Sequence, residues 1–213
     1  MGEINASDRF GQAIIKTVKD FSLQNILEIG SWDGTGSTQC FIEALKYCPK
    51  PRLTCLEVHV DRFVDLKRNV ALYPWVLPFN ESSISLKSFL HPTFESVWNS
   101  PYNRINSTQE IVSGWYAQDY ERLKNTQIGF LERTHELYDG VLIDGSEFTG
   151  YSEFQLLKNR TNVFFLDDYY NAFKTRQVAA ELAKDPEWQI IDGDRFCRQG
   201  FAILARKKFS VVF

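Results

Sequence analysis

The chain has 213 residues, 44% of them hydrophobic and 24% charged, which fits one α/β domain with a buried core and excludes a disordered or low-complexity chain. Its 24 basic and 27 acidic side chains leave a net charge of −3, so the basic excess expected of a nucleic-acid-binding surface is missing. The four cysteines, Cys40, Cys48, Cys55 and Cys197, form no CxxC pair and read as reduced thiols rather than zinc ligands or disulfides.

In chain order, Ser7 is a candidate cap for a first helix with Phe10, Ile14, Val18 and Phe21 on its apolar face. Residues 25–30 (NILEIG) read as a buried strand, 38–47 as a helix stopped by Pro49 and Pro51, and 52–58 (RLTCLEV) as a second strand. A helix over 61–71 and a short strand over 75–80 follow. Residues 85–136 then break the alternation: they hold Pro92, Pro101 and many aromatics, and Ser107 with Glu110 offers a capping box for a long helix. Val112, Tyr116, Leu123, Phe130 and Leu137 make its apolar stripe. This insertion reads either as a helix packed on the domain or on a second copy, giving a homodimer, or as a lid over a substrate.

The alternation resumes with a strand at 138–144 (YDGVLID), a helix at 150–158, a strand at 162–167 (NVFFLD) and a helix at 171–184. Strands at 188–191 and 200–206 close the chain and lie close enough in sequence to pair antiparallel. The pattern predicts a single domain over 1–213 with an α/β fold: a Rossmann-like three-layer α/β/α sandwich around a mostly parallel seven-stranded sheet whose last strand is antiparallel. Nothing near the N-terminus resembles a signal-peptide core and no run reaches membrane-spanning length, so a cytoplasmic protein with no membrane partner is expected. The Asn-x-Ser/Thr triplets at Asn5, Asn80, Asn106 and Asn159 are then chance matches.

Ligands of such sheets bind at the carboxyl ends of the strands. Those ends carry Glu28 to Gly30, Glu57, Asp144 and the pair Asp167 and Asp168. An acid is a poor strand residue and costly to bury, so acids repeated along one edge suggest a site. The run EIGSWDGTGS, Glu28 to Ser37, is a glycine turn that opens a helix. Its glycines, Gly30, Gly34 and Gly36, do not match the GxGxxG dinucleotide spacing, and no P-loop lysine follows. Glu57 ends the next strand, where a carboxylate can accept both hydroxyls of a ribose. If the strands ending at Asp144 and Asp167 are neighbours, about 4.8 Å apart, their carboxylates converge. Such a cluster needs a proton or a cation among its members.

The glycine motif, the strand-end acid and the later DG and DDY runs together resemble class I S-adenosylmethionine-dependent methyltransferases. The nearest likeness is to the branch that includes macrocin O-methyltransferase and cephalosporin-hydroxylase-like proteins. It covers residues 25–58, 138–182 and 200–206 but not the insertion, and Trp32 stands where the commonest motif has glycine. The resemblance implies S-adenosylmethionine as cofactor, its site including Glu28, with Gly30, Ser31, Gly34 and Ser37 at its methionine end, Glu57 on the ribose, and His59, Ser82 and Ser83 toward the adenine. It also implies magnesium at Asp144, Asp167 and Asp168, with Asp144 as cofactor contact, metal ligand and nearby base. His91 is a second candidate base.

The activity implied is O-methylation of a hydroxyl on a sugar, glycan or small molecule. Trp98, Tyr102, Trp115 and Tyr116 are the candidate acceptor pocket. A non-catalytic module of the same fold, acting through the insertion, is the competing reading; Ser146, Glu147 and Phe148 after the DG pair and the missing glycines at 158–161 favour it. A nicotinamide-dependent oxidoreductase is disfavoured by the glycine spacing.

Overall fold

The computed structural model describes residues 4–209. The strands are β1 (Asn25–Ile29), β2 (Arg52–Leu56), β3 (Val76–Phe79), β4 (Tyr138–Ile143), β5 (Thr161–Asp167), β6 (Trp188–Asp194) and β7 (Phe201–Arg206). The helices are α1 (Arg9–Asp20), α2 (Ser37–Leu45), α3 (Val60–Val70), α4 (Phe94–Trp98), α5 (Gln109–Asn125), α6 (Phe130–Arg133), α7 (Gly150–Leu157) and α8 (Arg176–Leu182). The strands form one sheet in the order β3-β2-β1-β4-β5-β7-β6. Only β7 runs antiparallel to its neighbours β5 and β6, so the expected mostly parallel sheet is the one observed. The strand order reverses between β1 and β4, which makes their carboxyl ends the natural crevice.

Successive residues of a strand point to opposite faces, and both faces of this sheet are covered. Val141, Ile143, Phe164 and Leu166 face one hydrophobic core, which α4 to α8 complete with Val97, Val112, Tyr116, Leu123, Phe130, Phe154 and Val178. Leu142, Val163 and Phe165 face the other, against Phe10, Ile14 and Val18 of α1 and Phe41 and Leu45 of α2. The strands therefore read as continuous apolar runs, and those runs made them legible in the sequence.

Several boundaries differ from the expectation. Asp8 caps α1, its carboxylate accepting from the Gly11 N–H; Ser7 does not. Thr108, not Ser107, caps α5. The long helix stops at Asn125 because the chain turns extended at Thr126. Phe130 then starts a separate short helix, and Leu137 is exposed in a loop. The last helix begins at Arg176 rather than near Asn171. The N–H groups of Tyr170 and Asn171 both bond the Gln199 carbonyl, and the Thr175 hydroxyl bonds the Asp167 carbonyl at 2.5 Å, so this stretch is held as a loop. β6 runs to Asp194, longer than expected.

The insertion packs on the domain's own core, and its exit is pinned to the end of β3. The N–H groups of Phe130 and Leu131 bond the carbonyls of Ser82 and Ser83, at 2.9 Å each. That approach requires a bare backbone, because a Cβ on Gly129 would lie 2.3 Å from the Ile84 Cα. Gly129→Ala is therefore expected to destabilise the protein by about 1–3 kcal/mol through overpacking. Urea unfolding followed by circular dichroism measures this, and an unchanged midpoint would refute it.

Candidate functional site

The carboxyl ends of β1, β2, β4 and β5 open onto one cavity of about 370 Å³. Its floor is the glycine turn. Gly30 has φ +90°, and a Cβ there would lie 2.3 Å from the Asp144 carbonyl oxygen. Glycine is thus required twice over, for the left-handed backbone and for the close approach of the β1 and β4 ends. Trp32, Asp168 and Arg198 also have positive φ and line this cavity. Among the described residues only Ser22 shares that conformation without being glycine, so backbone strain concentrates at the cavity.

Glu57 is almost fully buried on the cavity wall. Its Oε2 accepts from the Trp32 N–H at 2.9 Å and its Oε1 from the His59 N–H at 2.7 Å. Each oxygen is thereby fixed while keeping a second lone pair for a donor in the cavity. The guanidinium of Arg62 lies over the Trp32 ring, 3.1 Å from its centroid.

At the other end, Asp144, Asp167 and Asp168 bring carboxylate oxygens within 4.8 Å of one another. Lys174 reaches into this cluster from the loop before α8. Its ammonium donates to Asp144 Oδ1 at 2.8 Å and to Asp168 Oδ2 at 2.9 Å. Arg198 donates to Asp167 Oδ2 at 2.8 Å. Burial disfavours the Lys174 charge, but Asp144, Asp168, Asp167 and Glu147 outweigh it and hold its proton well above the ordinary lysine range. Burial, and next the charge of Asp144, push the Asp167 carboxyl well above its ordinary value. Glu147 holds the lysine's loop: its Oε1 accepts from the N–H groups of Phe173 at 2.5 Å and Lys174 at 3.2 Å.

Of the residues singled out in the sequence, Gly30, Ser31, Ser37, Glu57, His59, Ser82, Ser83, Asp144, Asp167 and Asp168 line this cavity. Three do not. Glu28 is fully buried behind the turn, where it accepts from the hydroxyls of Ser37 and Thr38 at 2.6 Å each. Gly34, at φ +76°, packs on Leu66 of α3. His91 is buried against Phe89, Tyr151 and Phe173. Burial lowers its proton affinity and its Nε2 has no partner among the described residues; it stands outside the cavity lining. The four aromatics expected to form an acceptor pocket do not converge. Tyr116 is buried with its hydroxyl on the His91 carbonyl, Trp98 stacks on Phe94, Trp115 is exposed, and Tyr102 lines a separate groove.

Lys174, Arg198, Arg62 and Glu153 also line the cavity, and no motif marked them. Glu153 in the first turn of α7 accepts from Ser83 at 2.5 Å and Thr149 at 2.8 Å. The insertion contributes Asp119, Arg122 and Leu123 of α5 to the wall, and Asp119 accepts a hydrogen bond from the Ser146 hydroxyl.

No protein-family model matches the sequence, and no curated protein does. Solved structures do match. An O-methyltransferase from Bacillus cereus in complex with SAH superposes over 96% of this chain and 84% of its own, with a TM-score of 0.58 at 15% identity. The O-methyltransferase TomG from Streptomyces achromogenes, involved in tomaymycin synthesis and in complex with SAM, superposes over 97% and 83%, with a TM-score of 0.58 at 13% identity. The SAH-bound methyltransferase PaMTH1 of Podospora anserina covers 92% and 77%, with a TM-score of 0.55 at 12% identity. The chain has the class I methyltransferase fold. In this methyltransferase fold the cavity lies at the strand-order reversal, where open α/β sheets bind their ligands.

Burial pushes the Glu28 carboxyl above its ordinary value of 4.5, against the hydrogen bonds from Ser37, Thr38 and Cys55. A raised folded-state value means that the stability linked to the bound proton is present at low pH and lost as pH rises through that value. Glu28→Gln, which cannot ionise, is therefore expected to gain on the wild type as pH rises above 4.5. Thermal melts of both proteins across pH test this, and a pH-independent difference would refute it.

Proposed function

We propose that the protein is an S-adenosylmethionine-dependent methyltransferase that methylates a hydroxyl oxygen of a sugar, glycan or other small molecule. The observation that carries this reading is Glu57, a buried carboxylate with both oxygens fixed and each still able to accept, facing the same cavity as a bare glycine turn. A ribose with two vicinal hydroxyls matches that carboxylate. Gly30, Ser31 and Ser37 would border the methionine end, with His59, Ser82 and Ser83 toward the adenine. The structural neighbours described as O-methyltransferases with SAH or SAM bound support the same reading.

A sulfonium methyl is already activated, so the protein's work is to align the acceptor oxygen with it and exclude water. In this reading Asp144 takes the acceptor's proton. The α5 residues Asp119, Arg122 and Leu123, which wall the cavity, favour the insertion as a lid over the reactants.

Magnesium at Asp144, Asp167 and Asp168 is the further element that the resemblance would add. The donor set does not fit it. The Lys174 ammonium already bonds Asp144 and Asp168, and Arg198 bonds Asp167. Magnesium demands oxygens at roughly 2.0–2.1 Å in near-octahedral array, so it would have to displace a buried ammonium from the same oxygens. No step of the proposed transfer runs through a metal.

Calorimetric titration of S-adenosylmethionine into the purified protein tests the reading. Binding is expected, and Glu57→Ala is expected to weaken it by roughly 10–100-fold, the worth of charge-assisted hydrogen bonds. Absence of binding to the wild type would sink the enzyme reading and leave the non-catalytic module.

A further inference from the structure

We propose that Lys174 is the resident cation of this site, a covalently tethered ammonium that neutralises the strand-end carboxylates and keeps divalent metal ions out. The inference rests on the methyltransferase reading only for the chemistry that such a cation would serve.

The argument starts from charge. Asp144, Asp167 and Asp168 converge at the ends of two neighbouring parallel strands, β4 and β5. Three carboxylates at that spacing repel strongly in a poorly solvated place and require compensation. A solvent-borne divalent ion is one source of positive charge and a side chain is another. Here the side chain is in position: Lys174 Nζ lies 2.8 Å from Asp144 and 2.9 Å from Asp168, with the lysine side chain only 9% exposed. An ammonium has three donors in a compact head. Two are used on these carboxylates, and among the described residues no third acceptor is bonded to it. Lys174 also lines the cavity, so a donor remains for an oxygen arriving there.

The arrangement is built rather than incidental. Glu147 accepts from the successive backbone N–H groups of Phe173 and Lys174. Thr175 is tied to the Asp167 carbonyl. Asp168 is held at φ +53°, a left-handed conformation that a non-glycine residue adopts at a cost. A Cβ on Gly150 would lie 2.2 Å from the Lys174 carbonyl oxygen, so the first turn of α7 closes against the same loop. These contacts fix the backbone that carries Lys174, and Asp144 and Asp168 hold its ammonium. A tethered cation has no dissociation equilibrium, and a divalent ion entering the site would have to expel a buried positive charge first.

Mn²⁺ is the probe, followed by the loss of its free-ion electron paramagnetic resonance signal as it binds, without cofactor or acceptor. The wild type is expected to show no specific site. Lys174→Ala is expected to gain one, binding at least about tenfold more tightly than the wild type, and Lys174→Ala with Asp168→Ala, which removes the ligand oxygens altogether, is expected to lose it again. Lys174→Met, which keeps the side-chain volume, serves if the alanine variant unfolds, with circular dichroism reporting the fold. A wild type that binds Mn²⁺ as tightly as the variants would overturn the inference. So would a folded Lys174 variant that gains no site, or a gained site that survives Asp168→Ala. Calorimetry with S-adenosylmethionine on the same samples reads the cofactor separately, so failure of that binding leaves the cation result standing, and the reverse.

Discussion

The rest of the molecule is arranged around a concentration of negative charge at one edge of the sheet. β4 and β5 both end in carboxylates, and a parallel sheet gives those ends no room to diverge. Lys174 answers that charge at Asp144 and Asp168, and Arg198 at Asp167. Because their positions must be fixed, the chain between β5 and α8 forgoes helix for a loop tied by Glu147, Thr175 and the Gln199 carbonyl. The shortness of α8 and the left-handed turn at Asp168 follow from the same constraint.

The opposite end of the cavity is organised on another principle. There the controlling feature is the absence of side chains. Gly30 lets the backbones of β1 and β4 meet at the crevice, and Glu57 replaces bulk with directed acceptors. One end of the cavity is thus shaped by backbone and the other by paired charge. A ligand with a polar, hydroxyl-rich part and a reactive centre some distance away matches that division.

The fold was legible because its strands are buried on both faces. NILEI, YDGVLI and TNVFFLD have too much apolar content and too little length to be anything but interior strands, and the glycines and acids at their ends mark the crevice side. The helix starts were less legible because adjacent residues compete to cap. Asp8 outdoes Ser7 with a charged acceptor on the Gly11 N–H, and Thr108 outdoes Ser107 one residue further on. The insertion misled for a different reason. Its aromatics suggested a ligand pocket, but Tyr116, Phe94 and Trp98 pack on each other and on the core, so their clustering reflects burial. Lys174 left no sign, since it lies 30 positions from Asp144 in a segment whose apolar pattern reads as helix. Only the surplus of converging acids implied that a proton or some cation had to sit among them.

The pinning of the insertion has a consequence for how this chain tolerates change. The backbone leaves the sheet after β3 at Ser82 and Ser83, and returns to those same two carbonyls at Phe130 and Leu131. The intervening segment is therefore a closed excursion with coincident ends. Lengthening its exposed turns alters loop-closure entropy only slowly, whereas Val97, Val112, Tyr116 and Leu123 within it complete the core and have to be kept. The ends of the excursion are fixed to the sheet, and its tolerance of change is confined to the residues that neither fill the core nor wall the cavity.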